Sequence, residues 1–169
     1  NWKITRKKKL WKAIVEQKIQ SEIDALKLMQ RGEKEISQLI SYKQSVYTDD
    51  QTNREALSAR MYFSAMFGKE FTRDDEGPVN YGLNYGYKIL ASQISKCIAS
   101  RGLLTQLGIH HIGESNPFNL TYDFIEPLRV IADVWVCSKV ADSFNIFFRE
   151  SVMIIERKAN HSYRRLLWN

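Results

Sequence analysis

Glycine and proline are scarce in this chain, eight and three among 169 residues. A sandwich of many short strands needs frequent turn residues, so an all-β fold is disfavoured and long helices are expected. Cysteine is nearly absent. Cys97 and Cys137 show no metal-ligand spacing and both lie in apolar stretches. Buried reduced thiols in a cytoplasmic protein are expected in preference to a disulfide. No apolar run approaches the ~20 residues that a membrane-spanning helix requires, and the longest, 130–137, is interrupted by Asp133. The first residues are basic, but no signal-type apolar core with a small-residue cleavage site follows them. An initiator Met is also missing, as in a fragment or a processed product.

What is present describes a folded domain. Hydrophobic residues make up 44% and aromatics 12%, too many for a disordered basic tail. The length suits one domain with a core of its own. The net charge of +6 is unevenly placed. Lys3, Arg6, Lys7, Lys8, Lys9 and Lys12 fall within residues 1–12 with no acid among them, leaving 19 bases against 19 acids over the rest. Such a run attracts polyanions, nucleic acid above all, or simply solubilises the chain as a solvated arm. Charge alone leaves both readings open.

Apolar residues at Leu10, Trp11, Ile14, Val15, Ile19, Ile23 and Leu26 predict an amphipathic helix that stops near Gly32. A shorter helix carries Ile36, Leu39 and Ile40, and 45–53 is a polar connection. Thr52-x-x-Glu55 reads as a capping box opening a helix that ends at Gly68. Residues 71–77 form an acidic loop, and Pro78 then suits the first turn of a helix with the stripe Leu83, Tyr87, Leu90, Ile94, Ile98. Gly82 and Gly86 share one face and invite a close helix neighbour, at about 1 kcal/mol each relative to Ala. Residues 108–119 read as a loop. A helical pattern over 120–140 is kinked by Pro127 or starts late because of it, and a last helix spans about 143–158. The expectation is a single all-α domain of about six helices.

One constellation could carry chemistry: His110 and His111 in a loop, followed by Asp123 and Glu126 three apart on one helical face. Imidazole with carboxylate suits Mn²⁺ or a partly hydrated Mg²⁺. Equally, Asp123 and Glu126 are a capping pair and the histidines are solvated. Glu55 has the same two readings, because the capping box explains it structurally. Tyr81, Tyr85 and Tyr87 resemble a stacking platform for bases, but their helical period favours core packing. Arg157, Lys158, Arg164 and Arg165 form a second basic cluster, read as a solvated face.

Three segments carry a family resemblance. "DDQTNREALSARMYFSAMFG" (49–68), "GPVNYGLNYGYKIL" (77–90) and "LGIHH…NPFNLTYDFIEPLR" (107–129) resemble, in order, signature segments of the CRISPR-associated integrase, the first-numbered Cas protein. The "NRE", "NYGY" and "GIHH" flavours are most similar to the type II branch. The likeness covers about 10–133 and fades beyond 143. The family's metal-binding Glu falls on Glu55 of "EALSARMYF", where Ala56 and Ser58 stand for a usual Gly and Ala. Its His falls on His111 and its final acidic ligand on Glu126, with Asp123 at an acidic position one turn earlier. "EPLRV" departs from the commoner "EPFRP", a packing change beside Glu126.

The resemblance implies the all-α catalytic domain of a two-domain protein, the family's N-terminal β domain being absent here, with residues 1–9 as a basic arm joining it. It implies a metal-dependent endonuclease and integrase that inserts short DNA fragments into a CRISPR array. Glu55, His111 and Glu126 would hold Mg²⁺ or Mn²⁺, Asp123 would support them, and Arg60 and Arg129 would contact phosphate or pair with acids. Arg6, Lys7, Lys8 and Lys9 would form a DNA arm. The implied partners are double-stranded DNA, a second copy of the chain, a dimer of the second CRISPR-associated protein and other type II components, with no membrane. A helical DNA-binding or scaffold module without chemistry is the alternative, as is a purely structural helical domain.

Overall fold

A computed structural model describes residues 3–140. The expected last helix over 143–158 and the basic cluster at Arg157, Lys158, Arg164 and Arg165 lie outside these residues. Six α-helices are formed among the described residues: α1 (Ile4–Leu28), α2 (Glu33–Gln44), α3 (Arg54–Phe67), α4 (Pro78–Ala99), α5 (Asn119–Ile125) and α6 (Val130–Val140). Two 3₁₀ turns, Thr48–Asp50 and Glu126–Leu128, complete the order, and no strand occurs among the described residues. No described helix is long and apolar enough to cross a membrane.

The long α1 is the spine. Its buried stripe of Trp11, Ile14, Val15, Ile19, Ile23 and Leu26 packs on α2, α3 and both 3₁₀ turns. It begins at Ile4, earlier than the apolar periodicity suggests, so Arg6, Lys7, Lys8 and Lys9 lie on its first turns and form no free arm. Lys7 Nζ donates to the Gly108 carbonyl at 2.7 Å and Lys8 pairs with Asp49 at 3.0 Å. The helix ends where Gln30 turns left-handed (φ 52°) and the Arg31 N–H reaches back to the Leu26 carbonyl at 2.9 Å.

The capping box does not form. Asn53 is the residue before α3, in a left-handed conformation without a side-chain cap. The buried Asp50 carboxylate caps instead, accepting from the Arg54 and Glu55 N–H groups at 2.8 and 2.9 Å. An anion from the preceding turn meets the exposed N–H groups and positive end of the helix. The Glu55 side chain, on the first turn of α3, is thereby left for other partners.

Helices α4 and α6 cross closely. A Cβ on Gly86 would lie 2.6 Å from Ala132 Cβ, and one on Gly82 would lie 3.1 Å from Val136 Cγ2. With those glycines against α6, Leu83 and Tyr87 face a second core cluster with Ile125, Ala132 and Val136. Tyr81 and Tyr85, expected in the core, are 59% and 65% exposed because they project from the other side of α4. Cys97 is also exposed, against expectation, beside the buried Ile98; Cys137 is buried, and both thiols are free. Pro127 does more than kink the last pattern: it divides it, with the turn Glu126–Leu128 between α5 and α6.

Candidate functional site

Glu55 starts α3 and Glu126 starts the second 3₁₀ turn, yet both carboxylates converge on one ammonium. Lys18, on the buried face of α1, donates to Glu55 Oε1 and to Glu126 Oε2, the latter at 2.7 Å. Glu126 also accepts from Arg129, at 3.0 Å from Nε and 2.9 Å from a terminal guanidinium nitrogen. Burial alone would push the Glu126 carboxyl up, but Lys18 and Arg129 overcome it and hold the group at about 2. For Lys18, burial favours the neutral amine, and Glu126, Glu55 and Glu22 together raise it above its ordinary value. The pair is charged on both sides.

His111 belongs to the same neighbourhood through its loop. Asp123 is fully buried and accepts from the backbone N–H groups of Ile109 (2.5 Å), His110 (3.3 Å) and His111 (3.0 Å). Its Oδ1 also bonds His111 Nδ1 at 2.8 Å. One carboxylate therefore gathers a whole turn and fixes the ring; Asp123 and Glu126 are not a capping pair. The bond to Asp123 raises the His111 imidazole above its usual value, with burial opposing it and Glu126 adding to it. Trp11 of α1 closes the turn by stacking on His110, ring centroids 4.0 Å apart and planes 5° from parallel. Glycine is required at 108, where a Cβ would sit 1.9 Å from the His111 carbonyl oxygen.

The other expected residues divide. Arg129 pairs with Glu126 and stands over the Tyr87 ring at 4.7 Å, so its charge is already engaged. Arg60 is exposed on α3 and has no ion pair among the described residues. It lies five residues from Glu55, about 140° around the helix. Lys18 and Glu22 were not singled out by the sequence, where they read as polar positions in a long amphipathic helix. The signal was available in their spacing: both fall in register with Trp11, Ile14 and Val15, on the buried stripe.

As folded, no three His, Cys, Asp or Glu side chains among the described residues form a ready cation cage. The donor chemistry nevertheless fits a hard divalent cation. Two carboxylates from separate elements already face one positive charge, and the imidazole has Nδ1 committed to Asp123, leaving Nε2 as its remaining donor atom.

The family model described as CRISPR associated protein Cas1 matches residues 3–144. A curated relative, the CRISPR-associated endonuclease Cas1 of Neisseria meningitidis serogroup C (strain 8013), is 43% identical over 131 residues, 77% of this chain and 42% of the relative. CRISPR-associated endonuclease Cas1 2 of Pyrobaculum aerophilum is 41% identical over 88 residues, covering 48% of this chain and 29% of that protein. The chain thus spans less than half the length of these relatives. Two solved structures share the fold: a casposase bound to integration product (TM-score 0.64, 22% identity, 83% of this chain and 45% of that one) and a partial Cas6-RT-Cas1–Cas2 complex (TM-score 0.65, 21% identity, 87% and 52%). With the family model matched over most of the chain, and the segments around Glu55, His111 and Glu126 inside the match, the chain belongs to the Cas1 family of CRISPR-associated proteins.

Proposed function

We propose that this chain is the helical catalytic part of a metal-dependent DNA endonuclease and integrase. It would join the 3′-hydroxyl of a short DNA fragment to a phosphodiester at the border of a CRISPR repeat, adding a spacer in antiviral defence. The observation that supports this reading best is the convergence of Glu55 and Glu126, from opposite halves of the chain, with Glu126 acting electrostatically on an imidazole that a buried aspartate fixes. Buried charge of this kind is costly to retain for stability alone.

Glu55, Glu126 and His111 would hold Mg²⁺ or Mn²⁺, which supplies charge stabilisation at the phosphoryl oxygens and activation of the attacking oxygen. The residues of the chain do the rest. Lys18 and Arg129 keep Glu126 ionised as a donor over the whole working pH range. Asp123 holds the His111 ring in one orientation and tautomer, directing Nε2 away from the loop it has gathered. Arg6 and Lys9, exposed and without ion pairs among the described residues, remain for the DNA backbone, whereas Lys7 and Lys8 are engaged within the fold. The casposase is described as bound to integration product and a Cas1 relative as assembled with Cas2. By analogy, double-stranded DNA, a second copy of the chain and the second CRISPR-associated protein are the partners proposed here.

Strand transfer of a labelled fragment into repeat DNA, with the second CRISPR-associated protein and Mn²⁺ supplied, tests the reading. Glu55→Ala and Glu126→Ala should each lose at least ~100-fold in rate, as when a group acting on the transition state is removed, and chelation should abolish the reaction. Activity indifferent to both substitutions and to chelator would refute it. DNA binding without any metal-dependent joining would favour a scaffold module instead.

A further inference from the structure

Lys18 is the feature that the family's ligand set leaves unexplained. Its side chain is 9% exposed, and its ammonium bridges the two carboxylates proposed above as metal ligands. Without a positive charge between them, two carboxylates this close would repel each other and at least one would protonate. A divalent ion and an ammonium need the same oxygens, and they repel one another. One turn further along the same face of α1, Glu22 is 2% exposed and its Oε2 has no hydrogen-bond partner. An unpartnered acceptor so deeply buried normally costs stability and calls for an explanation. A lysine four residues before a glutamate on one helix face is within reach of it.

We propose that Lys18 is a movable internal cation: it holds Glu55 and Glu126 together in the metal-free protein and swings to Glu22 when a divalent ion takes its place. This rests on the reading that Glu55 and Glu126 are metal ligands, and it assigns Lys18 and Glu22 as positioning residues for that site. The design keeps the two carboxylates facing one another before metal arrives, and it gives the displaced charge a buried partner. Such a device weakens metal affinity relative to an empty pair of carboxylates, so the two residues act on binding with opposite signs.

Mn²⁺ binding to the full chain, followed by the loss of the free-ion paramagnetic resonance signal, separates the possibilities. Lys18→Met should tighten Mn²⁺ binding at least ~10-fold, since a charge in contact with the ion is removed. Glu22→Met should weaken it by a similar factor, and in the Lys18→Met background should have no effect. Equal or weaker binding by Lys18→Met, while wild-type binding still depends on Glu126, would overturn the proposal and leave the ligand reading standing. Binding unaffected by Glu22→Met in the wild-type background would overturn it equally. Binding indifferent to Glu126→Gln would remove the ligand reading and the proposal with it. Should either apolar variant fail to fold, acylation of Lys18 in the wild-type protein, read by peptide mass, supplies an independent measure. Its rate should change when Mn²⁺ is added; an identical rate would refute the movement.

Discussion

Where α4 crosses α6, the contact is made by leaving side chains out: Gly82 and Gly86 let Val136 and Ala132 come within a methyl's width of the opposing backbone. Where α1 passes α3 and the second 3₁₀ turn, the contact is made of charge, with Lys18 between Glu55 and Glu126 and Glu22 buried one turn on. The first is a matter of volume and dispersion, and its residues are chosen by what they lack. The second carries desolvation costs that an apolar replacement would avoid. A body able to pack one helix pair so economically has no structural need to build another from buried ions. The difference separates the part of the molecule that sets its shape from the part that its chemistry occupies.

The largest expected effect breaks the apolar contact. Gly86→Leu should destabilise by roughly 3 kcal/mol through overpacking, seen as a lower urea midpoint. Gly86→Ala should be partly rescued by Ala132→Gly, because its new Cβ meets the one at 132. A Gly86→Leu protein with an unchanged midpoint would show that the helices do not approach this closely.

On the polar side, Asp123→Asn should cost roughly 2 kcal/mol, since donors gathered on one carboxylate lose part of their acceptor capacity. The His111 titration, followed by nuclear magnetic resonance, should move down towards the ordinary histidine value. An unmoved titration would mean that the ring does not depend on Asp123.

A pH series sharpens the contrast further, because the buried carboxyls pull in opposite directions. Glu126, ordinarily near 4.5 and held at about 2, contributes stability that is present above 4.5 and lost as pH falls towards 2. Glu22 is pushed by burial to about 8, with Lys18 pulling it back only in part. Asp133, bonded by the Tyr87 hydroxyl at 2.5 Å, is pushed by burial to about 6. For these two the folded state binds the proton more tightly, so stability falls as pH rises from 4.5 to 8 and from 3.8 to 6 respectively. Stability should therefore peak on the acid side of neutrality. Glu22→Gln should raise it by roughly 1 kcal/mol at pH 8 by removing a carboxyl that charges unfavourably there, and should change little at pH 4. A wild-type profile rising from pH 5 to pH 8 would contradict the burial of both groups.

The smallest effect concerns the cysteines. Cys97 should react with a thiol reagent in the folded protein and Cys137 only after unfolding, while Cys97→Ser should change stability by less than about 0.5 kcal/mol. Equal native reactivity would place Cys137 at the surface.

Most helices were legible because periodicity reports burial, and burial is what an amphipathic helix is selected for. The stripe from Trp11 to Leu26 and the role of Gly82 and Gly86 emerged as expected. Errors arose where a local rule competed with a partner distant in sequence. Thr52 had the right spacing for a cap, but Asp50 took the N–H groups. Tyr81 and Tyr85 had a helical period, which fixes that they share a face without saying which way it points. Cys97 erred for the same reason. At the site, the three family-matched positions were legible through resemblance, with Asp123 as their support. Lys18 was not, because a lysine in an amphipathic helix is ordinarily a surface residue, and only its depth and its two partners reveal otherwise.

The order of residues alone determined an all-α body, its approximate helix boundaries and the chemical types available at the site, since these depend on spacing, turn residues and composition within short windows. The tertiary structure decided which charges meet. Glu55 and Glu126 share an ammonium only because α1 runs between their elements, and the His111 ring is fixed only because α5 sets Asp123 beneath its loop. Electrostatic coupling falls off over a few ångströms and depends on burial, and neither distance nor burial between residues so far apart in the chain exists until the helices have packed.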